Sequence, residues 1–181
     1  MIRYVANFVI LAIYSLFFWF VMRLSRRTKV LLLTGGFIVG ASSVLLVGAV
    51  YLYPYVNLRN YAYFIEEVCK FILIFIVILL PRLRNIFQEE RHSIPWFGVM
   101  VGSYFGFLEN FSRIETYDVG LDIILKRGIT SWPMHMIYTL CSAYGLQLII
   151  DNRKVWGVLF LAMSIFLHLL FNYYIAPYIP H

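Results

Sequence analysis

Charge is what this sequence has least of: 13% of its 181 residues are Asp, Glu, Lys or Arg, 62% are hydrophobic, and the mean hydropathy is +0.80. A soluble domain carries about 25% charged residues to wet its surface, so lipid must be the main solvent of this chain. Cysteine is scarce too. Cys69 and Cys141 fall inside apolar segments without CxxC or Cys/His finger spacing, which excludes a disulfide framework and a thiolate metal site. There is no internal repeat and no low-complexity tract. The net charge of +6 and pI near 9.4 do not indicate a nucleic-acid partner, because the basic residues sit in short clusters between apolar runs, as the positive-inside rule predicts.

Apolar runs are what the chain has in quantity. Those near residues 4–22, 30–53, 61–80, 94–112, 129–150 and 155–178 are each long enough to cross a bilayer, which takes roughly 20 helical residues. The expected fold is all-α: a polytopic transmembrane bundle of about six spans, forming one integral membrane domain over residues 1–181. The first run lacks a small-residue cleavage site and is followed by Arg23, Arg26, Arg27 and Lys29, so it reads as a retained span. Lys and Arg number nine on the first, third and fifth loops, and five on the N-terminus with the second and fourth loops, which predicts both termini outside. The break from Arg113 to Gly128 mixes Ile114, Val119, Leu121, Ile123, Ile124 and Leu125 with charges and predicts a short interfacial helix. Gly98, Gly102 and Gly106 recur every fourth residue and predict a flat stripe for close helix packing, as do Gly36 and Gly40.

Ionisable side chains inside spans cost roughly 2.5–3.5 kcal/mol each and so require a partner or a use. Here they are Glu66, Glu67, Lys70, Glu109, His135 and His168, with Asn172 one turn beyond His168. At about 1.5 Å of rise per residue, Glu66 and His135 lie roughly 9 Å below the outer surface. Glu109 and His168, on spans running the other way, reach about 8–10 Å below it in a core about 30 Å thick. Four distant segments thus deliver carboxylates and imidazoles to one layer, the parts from which proteins make a metal-bound or a carboxylate-activated water.

Each residue also has a plainer reading. Glu66 and Lys70, four apart, would neutralise each other, and Glu109 would pair with Arg113. Asn110 would hydrogen-bond a packed neighbour, and His135 would be a core histidine with Thr139 on the same face. Adjacent carboxylates at Glu66 and Glu67 suit proton transfer, and His168 with Asn172 suits oxyanion donation or metal ligation with support. His92 and His181 are expected in solvent.

The set Glu66-Glu67-x-x-Lys70, Gly106-Phe107-Leu108-Glu109-Asn110, His135 and His168-x-x-x-Asn172, each in its own span, resembles the PrsW family of intramembrane proteases. That family lies within the superfamily of CAAX prenyl proteases and bacterial self-immunity membrane proteases. The resemblance covers residues 61–172, the expected core of the site, with every charged motif position filled. It implies hydrolysis of a peptide bond in or near the transmembrane segment of a membrane-anchored substrate. By analogy this substrate is an anti-sigma-factor-like protein, cut from the extracytoplasmic side of a bacterial or archaeal plasma membrane.

Two mechanisms fit the same side chains. In one, Glu109, His135 and His168 bind Zn²⁺ and Glu66 takes a proton from the bound water, with Glu67 orienting the base or binding substrate. In the other, Glu66 activates water directly with His135 assisting, while His168 and Asn172 stabilise the oxyanion. No HExxH helix decides between them, and a sufficient ligand set favours the metal. The rival classes are a proton or cation transporter component, which needs polar groups reaching both faces, and a non-catalytic membrane scaffold.

Overall fold

The computed structural model describes residues 1–51, 61–90, 92–117 and 119–175. Among them are eight α-helices and no strand: α1 (Ile2–Val21), α2 (Arg26–Tyr51), α3 (Ala62–Leu79), α4 (Pro81–Glu89), α5 (Ser93–Tyr117), α6 (Leu121–Ile129), α7 (Ser131–Ile150) and α8 (Lys154–Leu170). A turn of π-helix, Phe171–Ile175, follows α8 directly. The expected break at Pro54–Asn60 falls in residues 52–60, and His181 in 176–181, both outside the described residues.

Local chemistry explains where the helices begin and end. Ser25 caps α2, its Oγ accepting from Thr28 N–H at 3.2 Å. From the α4–α5 turn, Glu90 accepts the Thr28 hydroxyl (2.7 Å) and Ser25 N–H (3.3 Å) at the same helix start. Pro81 begins α4 and drives Leu80 into extended backbone (φ −61°, ψ 123°), which ends α3. Pro95 and Pro133 fall in the first turns of α5 and α7, where a missing N–H costs nothing. Between α7 and α8, Asn152 adopts φ 62°, and Arg153 N–H bonds back to Leu148 C=O (2.8 Å) and Asn152 N–H to Ile149 C=O (3.1 Å), a left-handed helix stop.

Among the described residues, three segments are long and apolar enough to cross a membrane: α1, Arg26–Val50 within α2, and Lys154–Tyr174. The other three expected spans are helices as well, α3, α5 and α7. They are less uniformly apolar because α3 carries Glu66, Glu67 and Lys70, and α5 and α7 are rich in small and polar residues. Of the expected break from Arg113 to Gly128, residues 113–117 continue α5 and a short helix, α6, follows, whose Ile124 is buried with Ile114 and Val119. Helix α4 lies in what the sequence suggested was a plain break; Leu83 and Phe87 turn inward from an otherwise polar segment.

Helix α5 is the packing centre, and glycine lets its neighbours approach. A Cβ on Gly98 would stand 2.5 Å from Thr139 O, one on Gly102 would collide with the His135 carbonyl, and one on Gly106 would meet the Trp132 ring at 3.0 Å. The expected stripe therefore faces α7. Gly36 and Gly40 of α2 meet α5 from another side, against Met100 and Tyr104.

Candidate active site

Glu66 and His135 lie one turn or so into α3 and α7, while Glu109 and His168 lie toward the C-terminal ends of α5 and α8. All four reach the same end of the bundle. One ligand atom each from Glu66, His135 and His168 lies within 4.8 Å of the others. The rings of His135 and His168 meet edge-on, with centroids 5.4 Å apart, and Tyr138 stacks on His168 at 4.6 Å.

Each imidazole is backed by a carboxylate. His168 Nδ1 lies 3.0 Å from Glu67 Oε1, and His135 Nε2 lies 2.8 Å from Glu109 Oε2. The nitrogens left over differ in surroundings: His168 Nε2 is 3.6 Å from Glu66 Oε2, while His135 Nδ1 is buried without a hydrogen-bond partner among the described residues. The backing carboxylates are themselves held. Lys70 Nζ donates to Glu67 Oε1 and Ser164 Oγ donates to Oε2 at 3.0 Å. Lys70 is fully buried, with its ammonium 4.5 Å from the centre of the Phe105 ring, a cation–π contact. On the other side Arg127 Nη2 donates to Glu109 Oε1 at 2.7 Å, and Arg113 Nε to the same oxygen at 3.1 Å.

Glu66 is the exception among the acids. It is 17% exposed where Glu67 is 1%, so it faces the open side. No hydrogen bond is made by its carboxylate among the described residues. Asn172, in the π-turn beyond His168, is half-buried and its amide also lacks a hydrogen-bond partner among the described residues.

Several pairings differ from the sequence reading. Lys70 bonds Glu67 rather than Glu66. Glu109 does pair with Arg113, yet it also serves His135 and Arg127, and it stands outside the Glu66–His135–His168 trio in which the sequence reading had placed it as a ligand. Asn110 Oδ1 bonds a neighbour as expected, accepting from Arg127 Nε at 2.9 Å. Thr139 Oγ1 donates to the His135 carbonyl at 2.8 Å, and His92 is exposed. Two polar residues escaped the sequence reading. Arg127 was only one of three basic residues in a loop of mixed charge, and Asn7, fully buried in α1 and donating to Phe107 O at 3.2 Å, was a lone amide in an apolar run.

Two imidazoles and three carboxylates, gathered inside an apolar helical bundle, define a membrane-embedded enzyme equipped to handle water, protons or a metal in lipid. The chain belongs to the PrsW family of intramembrane metalloproteases, which it matches over residues 28–180. It is accordingly a membrane peptidase of a metal-dependent family, acting on membrane-anchored protein in the bilayer. No curated protein and no solved structure matches it.

Proposed function

We propose that Glu66, His135 and His168 hold Zn²⁺, and that the protein uses this centre to hydrolyse a peptide bond near the transmembrane segment of a single-span substrate. The observation that carries this reading is the orphaned His135 Nδ1. A buried imidazole nitrogen without a partner is costly, and a ligand at the point shared with His168 and Glu66 would satisfy it. Two histidines and one carboxylate form a ligand set used by catalytic zinc. Carboxylates behind both imidazoles are the usual outer support of such ligands, fixing ring orientation and raising basicity.

When bound, the metal would polarise the scissile carbonyl and acidify a water molecule. The protein's own groups do the rest. Glu67 and Glu109 accept the remaining ring N–H of His168 and His135, which fixes both rings and leaves His168 Nε2 and His135 Nδ1 as the nitrogens free to act as ligands. Lys70 and Arg127 balance those carboxylates, so that only Glu66 is left uncommitted on the open side. Glu66 thus becomes a ligand rather than the base, and Glu109 a support of His135 rather than a ligand. We assign Asn172, one turn beyond His168, as the donor to the developing oxyanion. A metal-free reading, in which Glu66 activates water beside His168, is favoured by that carboxylate's exposure and lack of hydrogen bonds.

The proposed arrangement has six spans, both termini outside and the site in the outer half of a plasma membrane, with an anti-sigma-factor-like substrate. The Lys/Arg asymmetry of the loops and the placement of all four site helices' polar residues at one end support it. The test is cleavage of a single-span reporter by purified protein, with metal content measured in parallel. Glu66→Gln and His168→Ala should abolish cleavage, and chelation should remove it reversibly. Cleavage insensitive to both substitutions would sink the peptidase mechanism, whereas cleavage that survives metal stripping but not Glu66→Gln would select the metal-free route.

A further inference from the structure

The short helix α6 joins the site as more than a connector. Its Arg127 is 5% exposed and offers a fork to three acceptors: Nε to Asn110 Oδ1 (2.9 Å), and Nη2 to Glu109 Oε1 (2.7 Å) and Ser131 Oγ (3.4 Å). Glu109 passes the contact on, its other oxygen lying 2.8 Å from His135 Nε2. We infer that Arg127 is a positioning residue: acting through Glu109, it holds the His135 ring with Nδ1 presented to the site. The inference deepens the reading of His135 given above and rests on it.

Arg113 touches the same Glu109 oxygen, but its situation is weaker. It is 28% exposed and lies one turn along the same helix, a type of pair worth only a few tenths of a kcal/mol. Arg127 comes from another element and is desolvated, and it bridges α5 to the first residue of α7, the helix that bears His135. A planar guanidinium presents its donors in a rigid fork of fixed directions, whereas the three donors of an ammonium rotate about a single nitrogen. Its own base is fixed. Tyr14 OH donates to Gly128 O at 2.9 Å, Gly128 packs so closely on Ile10 that an added Cβ would sit 2.6 Å from Cδ1, and Ile124 is fully buried. Helix α6 thus acts as a strap from α5 to α7, clamped by α1, with Arg127 as its inward tooth. Without that tooth, Glu109 is left to Arg113, which draws the carboxylate along α5 and away from the imidazole.

The experiment uses full-length, metal-stripped protein with ¹⁵N-labelled histidine, in which only His92, His135, His168 and His181 contribute signals. Wild-type His135 should show one neutral tautomer, with the proton on Nε2. Arg127→Met should yield a mixture with Nδ1–H, and Arg127→Lys, which retains charge but not the fork, should recover part of the wild-type signal. In reporter cleavage, Arg127→Met should lower kcat about 10- to 100-fold, the range for outer-sphere substitutions, with KM changed less than about threefold. Lys126→Met, which removes only the exposed pair with Asp122 on the same helix, should change kcat less than about threefold. If Arg127→Met does not fold, Asn110→Ala, which frees one prong of the fork, should produce the same mixture to a smaller degree. A wild-type His135 signal in Arg127→Met, or thermal destabilisation by Met and Lys variants alike without any tautomer change, would overturn the inference. If the wild type cleaves nothing, the peptidase mechanism falls and the His135 signal alone decides the role of Arg127.

Discussion

Gly102→Ala adds one methyl group at the point where α5 touches the backbone of His135. The new Cβ would overlap the His135 carbonyl oxygen and stand 2.8 Å from both His135 C and Met136 Cα. Non-bonded carbons rest at about 3.5–4.0 Å, so the two helices must part by roughly 1 Å. The atoms in the way belong to backbone, and no side chain can swing aside. Overpacking of this kind costs about 1–3 kcal/mol. Misplacing a reacting group by about 1 Å costs on the order of 100-fold in rate, and His135 rides on the displaced segment. The expected outcome is therefore a drop of about 100-fold in kcat/KM for reporter cleavage, with a lowered thermal midpoint in detergent. Gly48→Ala is the control: no atom of the described residues lies within 4 Å of its added Cβ, so it should retain activity and gain about 0.5–1 kcal/mol from helix propensity. Wild-type kcat/KM and stability in Gly102→Ala would refute the claim that backbone contact with α5 sets the position of His135.

Glu67→Gln keeps shape but removes the charge that partners buried Lys70, and should cost about 3–5 kcal/mol in chemical unfolding, as breaking buried pairs does. The same variant should weaken Zn²⁺ binding by about 10- to 100-fold in chelator competition, and unchanged affinity would remove Glu67 from behind His168. Asn152→Val forces a β-branched residue into φ 62° and should lower stability by about 1–2 kcal/mol, whereas Asn152→Gly should match or exceed wild type. At Glu90, burial pushes the carboxyl pKa up, but the hydrogen bonds from Ser25 and Thr28 outweigh it and hold the pKa below the ordinary value of 4.5. Its contribution is therefore complete above that value and is lost as pH falls through the depressed folded-state pKa. Glu90→Ala should flatten this acid limb of the stability profile, and an identical limb in the variant would count against the cap.

The layer shared by Glu66, Glu109, His135 and His168 was legible in the sequence because depth along a helix depends only on rise and span ends. Rotation about each helix axis was not legible. Which of two adjacent carboxylates meets Lys70, and whether Glu109 faces the centre or stands behind an imidazole, depends on packing angles set by the glycine faces of α5. The same limit hid Arg127, because a cation in a mixed loop has no period to show which way it points. Helix α4 was missed for a different reason: its apolar Leu83, Ile86 and Phe87 do repeat at helical spacing, but Pro81 and the surrounding charges mark a break.

The buried Lys70–Glu67–Ser164–His168 connection also bears on how the chain enters the membrane. In the six-span arrangement, α3 would meet lipid carrying three ionisable groups, each costing roughly 2.5–3.5 kcal/mol at the bilayer centre. Lys70 and Glu67 relieve part of that within the helix. The remaining partners, Ser164 and His168, lie 97 and 101 residues beyond Glu67 and are synthesised after it. Helix α3 would therefore lack its finished environment until α8 arrives, which ties its insertion to that of a later helix.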